Sequence, residues 1–241
     1  MTFFDAAAAA SYDEVSRERF EPAVLAPTVE FLAALAADGA ALEFAVGTGR
    51  VALPLSDRGV PVQGIELSQP MVDQLAAKPG AERVTVTIGD MARTLVDGTF
   101  QLVYLVYSTI TNLLTQGDQV RCFESAADHL APGGHFVIEA GVPSLARLAP
   151  GERFVVFDAT PEHLGIDEYD LVNQHLTSHH HWTADGAVRT FDSHHRYAWP
   201  AEYDLMARIA GLELRERWAD WHRTPFTDSS TSHVSVWGKP G

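Results

Sequence analysis

Short apolar runs alternate with amphipathic stretches over the first 140 residues of the chain. The apolar runs occupy 41–46, 60–65, 84–88, 100–106 and 134–140. Between them, apolar residues recur at helical spacing in 50–58, 69–78 and 118–130. This alternation predicts a parallel β-sheet covered by helices on both faces, which is an α/β fold. A further helix is expected before the first run, ending near Gly39.

The pattern changes in the second half of the chain. Two polar-rich strands are predicted at 171–182 and 187–199, because Asp185-Gly186 between them is a strong hairpin turn signal. The segments expected after this hairpin are a helix over 200–210 and strands at 212–221 and 232–237. The end of the chain is therefore predicted to be strand-rich and antiparallel.

Composition limits the classes of function. The chain has 241 residues, 46% of them hydrophobic, which is enough for a packed core. Its formal charge of −15 argues against nucleic acids and anionic membrane surfaces, since both attract Lys and Arg. No apolar run approaches about 18 residues, so no membrane span is expected. The single cysteine, Cys122, indicates a reducing, cytoplasmic setting.

A glycine-containing loop carries the clearest chemistry. The first apolar run, 41–46, leads through Glu43 and Ala45 into Gly47 and Gly49, and a helix follows. Glycines there let the backbone turn tightly and approach a ligand without Cβ atoms in the way. Such a strand, loop and helix sequence is typical of nucleotide sites.

Acidic residues end the next two apolar runs. Glu66 lies nineteen residues beyond Gly47, where a carboxylate can accept hydrogen bonds from both ribose hydroxyls. Asp90 and Met91 follow the third run, and they offer an acceptor for an exocyclic amine and an apolar cover for an adenine ring. The loop also satisfies the G-x-G-x-x-A form of the dinucleotide fingerprint, so a nicotinamide dehydrogenase is considered too.

Together, the pattern Glu43-x-Ala45-x-Gly47-x-Gly49 with Glu66 and Asp90 resembles the ordered motifs of class I S-adenosylmethionine (SAM)-dependent methyltransferases. The resemblance covers residues 41–140 closely and departs at Ala45, where glycine is usual. A looser similarity links the chain to the small-molecule N-methyltransferases that act on amino sugars, through Tyr12-Asp13, the segment around Glu66 and the late hairpin. The resemblance implies a Rossmann-like fold with a seven-stranded sheet of order 3-2-1-4-5-7-6, its last strand antiparallel, and an inserted β-hairpin.

The resemblance also implies that the chain is one methyltransferase domain, 1–241, whose successive segments have different roles. Residues 1–39 would form an N-terminal helical lid and 40–140 the SAM-binding core. Residues 141–199 would form the inserted hairpin on the substrate side, and 200–241 the closing helix and two strands. The residues that would contact SAM, or S-adenosylhomocysteine as product, are Tyr12, Glu43, Ala45, Gly47, Gly49, Glu66, Leu67, Asp90, Met91, Tyr107 and Ser108.

Histidines concentrate in the predicted hairpin. If Asp185-Gly186 is a two-residue turn, paired residue numbers sum to 371, so that His179 faces Asp192 and His175 faces Arg196. One face of the ribbon, hereafter the predicted polar face, then collects His175, His179, His181, Asp192, His194 and Arg196. The opposite face carries Leu176, Trp182, Phe191 and Tyr197.

Three interpretations of the predicted polar face are open. It lines a substrate pocket, with His179 or His181 as general base and His194, Arg196 and the strand-end Glu139 as substrate contacts; it binds a metal through His179, His181 and Asp192; or it is an ordinary exposed ribbon. We favour the pocket and expect no metal, since the common methyl transfer requires none.

The sequence thus predicts a SAM-dependent methyltransferase acting on a nitrogen or oxygen of a small metabolite, in the setting of secondary metabolism. A NAD(P)-dependent oxidoreductase and a non-catalytic SAM-binding protein are the alternatives. We expect a small-molecule acceptor and neither nucleic acid nor membrane as partner, and a homodimer formed through the exposed hairpin is left open.

Overall fold

The computed structural model describes residues 5–184 and 187–241. The helices are α1 (Ala6–Val15), α2 (Pro22–Ala36), α3 (Ala52–Asp57), α4 (Gln69–Ala76), α5 (Gln116–His129) and α6 (Pro200–Ile209). The strands are β1 (Ala41–Phe44), β2 (Val62–Glu66), β3 (Val84–Ile88), β4 (Phe100–Leu105), β5 (Leu130–Gly141), β6 (Phe154–Ala159), β7 (His163–Asp170), β8 (His175–Ala184), β9 (Ala187–Arg196), β10 (Glu213–Trp218) and β11 (Ser232–Gly238).

The main sheet has seven strands in the order β10-β11-β5-β4-β1-β2-β3. Strands β1 to β5 run parallel to one another, whereas β11 pairs antiparallel with both β5 and β10. This order and the antiparallel strand confirm the topology that the family resemblance implied.

Two apolar clusters cover the faces of this sheet. Strand β1 lies in the middle, and its alternating residues enter different clusters: Leu42 and Phe44 pack with Phe123 of α5, whereas Ala41 packs with Leu32 of α2. All four residues of β1 are buried. A central parallel strand buried on both faces explains why the sequence shows a continuous apolar run there.

Local capping sets where the crevice-side helices begin. The Ser68 side chain accepts a hydrogen bond from the N–H of Met71 at the start of α4, and Thr115 accepts one from Asp118 at the start of α5. Both are standard N-cap contacts. The helices therefore start immediately after the loops that form the carboxyl edge of the sheet.

The inserted region is larger than the predicted hairpin. Strands β6, β7, β8 and β9 form a separate antiparallel sheet of four strands, hereafter the roof sheet. The hairpin β8–β9 forms only half of this sheet, and no strands were predicted for 154–170. The predicted turn at Asp185-Gly186 lies outside the described residues.

No helix in the described ranges 5–184 and 187–241 is long and apolar enough to span a bilayer.

Candidate active site

The loop between β1 and α3 winds through left-handed backbone conformations. Ala45 has φ 53°, Gly47 has φ 57° and Gly49 has φ 80°. Glycine adopts these angles without strain, whereas in an L-residue such as Ala45 the Cβ atom crowds the backbone and makes the conformation unfavourable. A Cβ atom at Gly49 would also lie 3.0 Å from Leu75. The loop therefore needs its glycines, and the departure at Ala45 falls on a strained position.

Glu66 joins this loop to the end of β2. Its Oε2 accepts a hydrogen bond from the Gly47 N–H at 2.8 Å, and its Oε1 accepts one from the Ser68 N–H at 2.9 Å. Glu66 is buried, and burial raises the pKa of its carboxyl. The neighbouring Leu67 is 59% exposed, so an apolar side chain stands open beside a buried acceptor. Each carboxylate oxygen has a second lone pair for a ligand hydroxyl.

Glu43 lies deeper, within the sheet. It pairs with Tyr104 of β4, whose hydroxyl donates to Glu43 Oε2 at 2.9 Å. Burial raises the pKa of Glu43 to about 8. Sequence reasoning missed Tyr104, although a tyrosine in an otherwise aliphatic buried strand is a signal that its hydroxyl has a polar partner.

Asp90 and Met91 follow β3 as predicted, and they differ in environment. Asp90 Oδ1 accepts from the Ala92 N–H at 2.9 Å and Oδ2 from Arg93 at 2.9 Å. Met91 is 8% exposed and belongs to the apolar cluster beneath the edge of the sheet. The acid is thus held by its own turn, while the methionine forms part of the apolar floor.

The loop after β4 is strained and anchored to β5. Tyr107 and Ser108 have φ 62° and 54°, two consecutive non-glycine residues in the left-handed region. The Tyr107 N–H donates to Glu139 Oε2 at 3.0 Å, and the Gly141 N–H donates to Ser108 Oγ at 3.0 Å. Such strain clusters at ligand sites, where surrounding contacts hold it. Glu139, the predicted substrate contact, holds the shape of this loop.

The N-terminal helix closes over the glycine loop. The Thr48 hydroxyl donates to Asp13 Oδ1 at 2.6 Å, and Lys78 forms an ion pair with Asp13. Lys78 also donates to the Thr48 carbonyl at 2.7 Å. The adjacent Tyr12 is partly buried, and burial raises the pKa of its phenol. The structure therefore places Tyr12-Asp13 against the loop, and Thr48 and Lys78 are contacts that the sequence did not reveal.

The register predicted for the hairpin is confirmed. His175 pairs with Arg196, Thr177 with His194, His179 with Asp192, and His181 with Thr190. The predicted polar face therefore exists as one face of the roof sheet.

Two members of that face differ in how the protein engages them. His179 Nδ1 lies 2.8 Å from Asp192 and its Nε2 lies 3.4 Å from Glu168. The hydrogen bond to Asp192 raises the pKa of His179. A histidine held between two carboxylates favours its protonated form, so it is a weak proton acceptor near neutral pH. His194 is exposed, with Nδ1 3.2 Å from the Thr177 hydroxyl.

Arg196 is not placed as a substrate contact. It is buried, and its guanidinium donates to Gln119 at 2.6 Å, to Gln174 at 3.0 Å and to Glu202 at 2.6 Å. These partners on α5, α6 and the loop before β8 direct its nitrogens into the protein, and its predicted role in substrate binding stays a prediction. Arg196 anchors the roof sheet to the main domain.

The opposite face of the roof sheet carries polar residues that the sequence reasoning overlooked. Asp158, His163 and His180 form a hydrogen-bonded chain on it, and Ser178 and Ser193 are buried there. His195 reaches from the same face to Thr111, in the turn that follows Ser108, at 3.1 Å. Within 5–184 and 187–241, no group of three His, Cys, Asp or Glu side chains is arranged to hold a metal ion.

Comparison with known proteins agrees with this geometry. A methyltransferase domain model matches residues 41–134. The CcbJ methyltransferase from Streptomyces caelestis is 41% identical, with 89% of each chain covered and a TM-score of 0.81. SAM-bound CalS10, an amino pentose methyltransferase from Micromonospora echinaspora, is 21% identical over 95% of this chain and 96% of its own, with a TM-score of 0.71. The cypemycin N-terminal methyltransferase from Streptomyces sp is 27% identical over 93% of this chain and 96% of its own.

Proposed function

Because the chain belongs to the class I SAM-dependent methyltransferases, we propose that it transfers a methyl group to a nitrogen or oxygen of a small metabolite in the crevice at the carboxyl edge of the main sheet. The observation that carries this proposal is the carboxylate of Glu66 held against the left-handed glycine loop at Gly47. A buried acceptor beside glycines, which carry no Cβ atom, is what an adenosyl ligand requires.

The residues at this edge fit the cofactor. Glu66 would accept the ribose hydroxyls, and Leu67 and Met91 would cover the adenine, with Asp90 at its exocyclic amine. Gly47 and Gly49 would allow close approach of the backbone, and the strained Tyr107-Ser108 loop would border the methionine portion. Bound there, SAM supplies an electrophilic methyl on a positively charged sulfur.

Glu43 and Ala45 would act from behind the crevice. Glu43 is buried against Tyr104, so it would support the loop from within the sheet. The methyl group of Ala45 packs against the apolar cluster, so its backbone is the part available to the ligand. Tyr12, carried by α1, would close the site, because Asp13 ties that helix to Thr48.

The chain's own task in the reaction is to align the acceptor and exclude water. A neutral nucleophile that attacks a sulfonium disperses charge, so alignment supplies most of the rate. The acceptor would be enclosed by the lid helix α1 on one side and by the roof sheet on the other. The strand-end Glu139 stands beside Tyr107 and is available at this edge. The formal charge of −15 supports a small acceptor over nucleic acid.

Calorimetric titration with SAM, S-adenosylhomocysteine and NAD⁺ tests cofactor choice. We expect the two adenosyl compounds to bind and NAD⁺ not to bind. Incubation with methyl-labelled SAM and a panel of small amines, phenols and amino sugars then tests the acceptor class. Label in a small product supports the proposal, whereas label in none of them, with the cofactor bound, contradicts a small acceptor of these classes. The cytoplasmic setting stays a prediction, and formation of a homodimer stays open.

A further inference from the structure

A directional chain of hydrogen bonds runs along the opposite face of the roof sheet. His163 Nδ1 lies 2.6 Å from Asp158 Oδ2, and His163 Nε2 lies 3.0 Å from His180 Nδ1. A carboxylate can only accept, so His163 donates from Nδ1 and its neutral Nε2 must accept. His180 therefore donates from Nδ1, which leaves its Nε2 as an unprotonated acceptor. In the described parts of the chain, no hydrogen bond to that nitrogen is found.

Aromatic side chains surround the end of this chain. Trp182 stacks on His163 with ring centroids 3.8 Å apart, and Phe157 and Phe191 lie 5.4 Å and 5.8 Å from His180. These three aromatic residues are 39% to 46% exposed. An oriented polar group among open aromatic faces is typical of a ligand pocket. An imidazolium at His163 would also be stabilised by the face of Trp182.

The face that bears this chain of hydrogen bonds contacts the turn that follows the strained loop after β4. Thr111 donates to the Ser108 carbonyl at 2.7 Å, so it accepts from His195 Nδ1 at 3.1 Å. His195 lies on the same face as His180 and within its electrostatic reach, and burial lowers the pKa of His195 to about 4. His195 therefore connects the turn after the strained loop to the face of the roof sheet that also bears His180.

We propose that His180 is the residue that accepts the proton of the methyl acceptor's amine, and that His163 and Asp158 are positioning residues that set its tautomer. The N–H bond of the ammonium breaks, its electron pair stays on nitrogen for attack, and the proton goes to His180 Nε2. The His180 Nδ1 proton then passes to His163 Nε2, so the positive charge rests on His163 beside Asp158. This assignment rests on the proposed function, and it replaces His179 and His181 as the general base.

The electrostatic surroundings of His180 suit this role. Burial lowers the pKa of His180, followed by the effect of His163, so the ring is neutral near pH 7. The charged and titratable groups around it are His163 and Asp158, Asp167 on β7, His179 and His181 on its own strand, and Arg189, Asp192 and His195 on β9. The carboxylates among them keep a newly protonated ring from being isolated among positive charges.

The first test reads the tautomers without any turnover. In the full-length protein labelled with ¹⁵N-histidine, two-bond proton–nitrogen correlation spectra at pH 7.5 should show His163 and His180 protonated at Nδ1. His163→Gln and His180→Gln assign the signals. In Asp158→Ala, His163 should lose its fixed tautomer. A His180 ring protonated at Nε2 in the wild type overturns the proposal.

The second test uses the amine that the wild type methylates best in the panel above. His180→Gln should lower kcat/KM at pH 7 by about 100-fold or more, and by much less near pH 10, where the amine is already free. Asp158→Ala should cause a smaller loss with the same pH trend. SAM affinity and Tm should stay close to the wild type. The control is His222→Gln, an exposed histidine outside both sheets, which should match the wild type.

The outcomes separate the two claims. A His180→Gln variant with full activity, or a loss that is equal at every pH, overturns the role of His180 as proton acceptor. If the wild type methylates a phenol but no amine, the proposed function holds and the role of His180 toward an amine is wrong. If it binds SAM but methylates no member of the panel, the proposed acceptor classes are wrong, and the role of His180 is wrong with them. If His163 and His180 are protonated at Nδ1 but no amine is methylated, the hydrogen bonds among Asp158, His163 and His180 have a structural role only.

Discussion

Glu66 accepts a hydrogen bond from the N–H of Gly47 at 2.8 Å, so the carboxylate that ends β2 holds the loop that follows β1. The two residues are nineteen positions apart, and their strands are neighbours in parallel register. Parallel strands end at the same edge, which brings the two loops together. The same carboxylate thus shapes the loop and remains available to a ligand.

Replacing Glu66 tests this double role. Glu66→Ala leaves the N–H groups of Gly47 and Ser68 without their acceptor, so we expect a loss of about 1–3 kcal/mol in the free energy of unfolding. We also expect SAM affinity to fall at least about tenfold in calorimetry, since the ribose loses its acceptor. Glu124→Gln, an exposed carboxylate on α5, is the matched control. Unchanged affinity in Glu66→Ala would place the cofactor elsewhere.

Glu43 makes stability depend on pH. Its folded pKa is raised to about 8 from 4.5, so between these values the unfolded chain ionises while the folded chain keeps the proton. The folded state then binds more protons, and stability falls as pH rises through that window. Glu43→Gln keeps an acceptor for Tyr104 and removes this dependence.

We therefore expect the free energy of unfolding of the wild type to fall, relative to that of Glu43→Gln, by about 1.4 kcal/mol for each pH unit between pH 5 and 8. Urea unfolding at pH 5, 6.5 and 8 measures this difference. Parallel stability curves for the two proteins would show that Glu43 is ionised in the fold.

Ala45 offers a direct measure of strain in the loop. At φ 53° its Cβ atom is unfavourable, so Ala45→Gly should raise the free energy of unfolding by up to about 1 kcal/mol and leave SAM affinity intact. Ala33→Gly, inside α2, should lower it by about 1 kcal/mol, because glycine is a poor helix former. Thermal and urea unfolding distinguish them, and a loss of stability in both variants would mean that the Ala45 methyl group packs too well to remove.

Arg196 should behave as an anchor. Its partner Glu202 is largely buried; although burial raises the pKa of Glu202, hydrogen bonds from Gln116, Gln174 and Arg196 bring it below the usual value. Arg196→Ala leaves the negative charge of Glu202 without its cationic partner, so we expect a loss of about 3–5 kcal/mol in the free energy of unfolding.

A double-mutant cycle with Glu202→Gln tests this assignment of Arg196. The losses should be strongly non-additive, since the two residues share one contact. A wild-type Tm in Arg196→Ala, together with a raised KM for the acceptor, would contradict the anchoring role and support the predicted role in substrate binding.

Several features of the fold were predictable because they depend on neighbouring residues. Strand β3 has the predicted bounds, whereas β5 begins at Leu130, before the Pro132-Gly133 pair that the pattern predicts as the turn ahead of it. Strand β7 was missed because half of its residues, His163–Asp170, are polar. Strand β6 was missed although Phe154–Ala159 begins with four consecutive apolar residues, a signal that the sequence did offer.

The sequence by itself determined the alternation of strands and helices, the glycine loop with its acids, and the pairing register of β8 with β9. Each follows from local periodicity or from the turn that joins two adjacent segments. Only the tertiary structure decided which face of the roof sheet meets Thr111, that Arg196 is buried against Glu202, and that Asp158 aligns His163 with His180. Alternation in a strand divides its side chains between two faces, but which face is covered depends on elements distant in the chain.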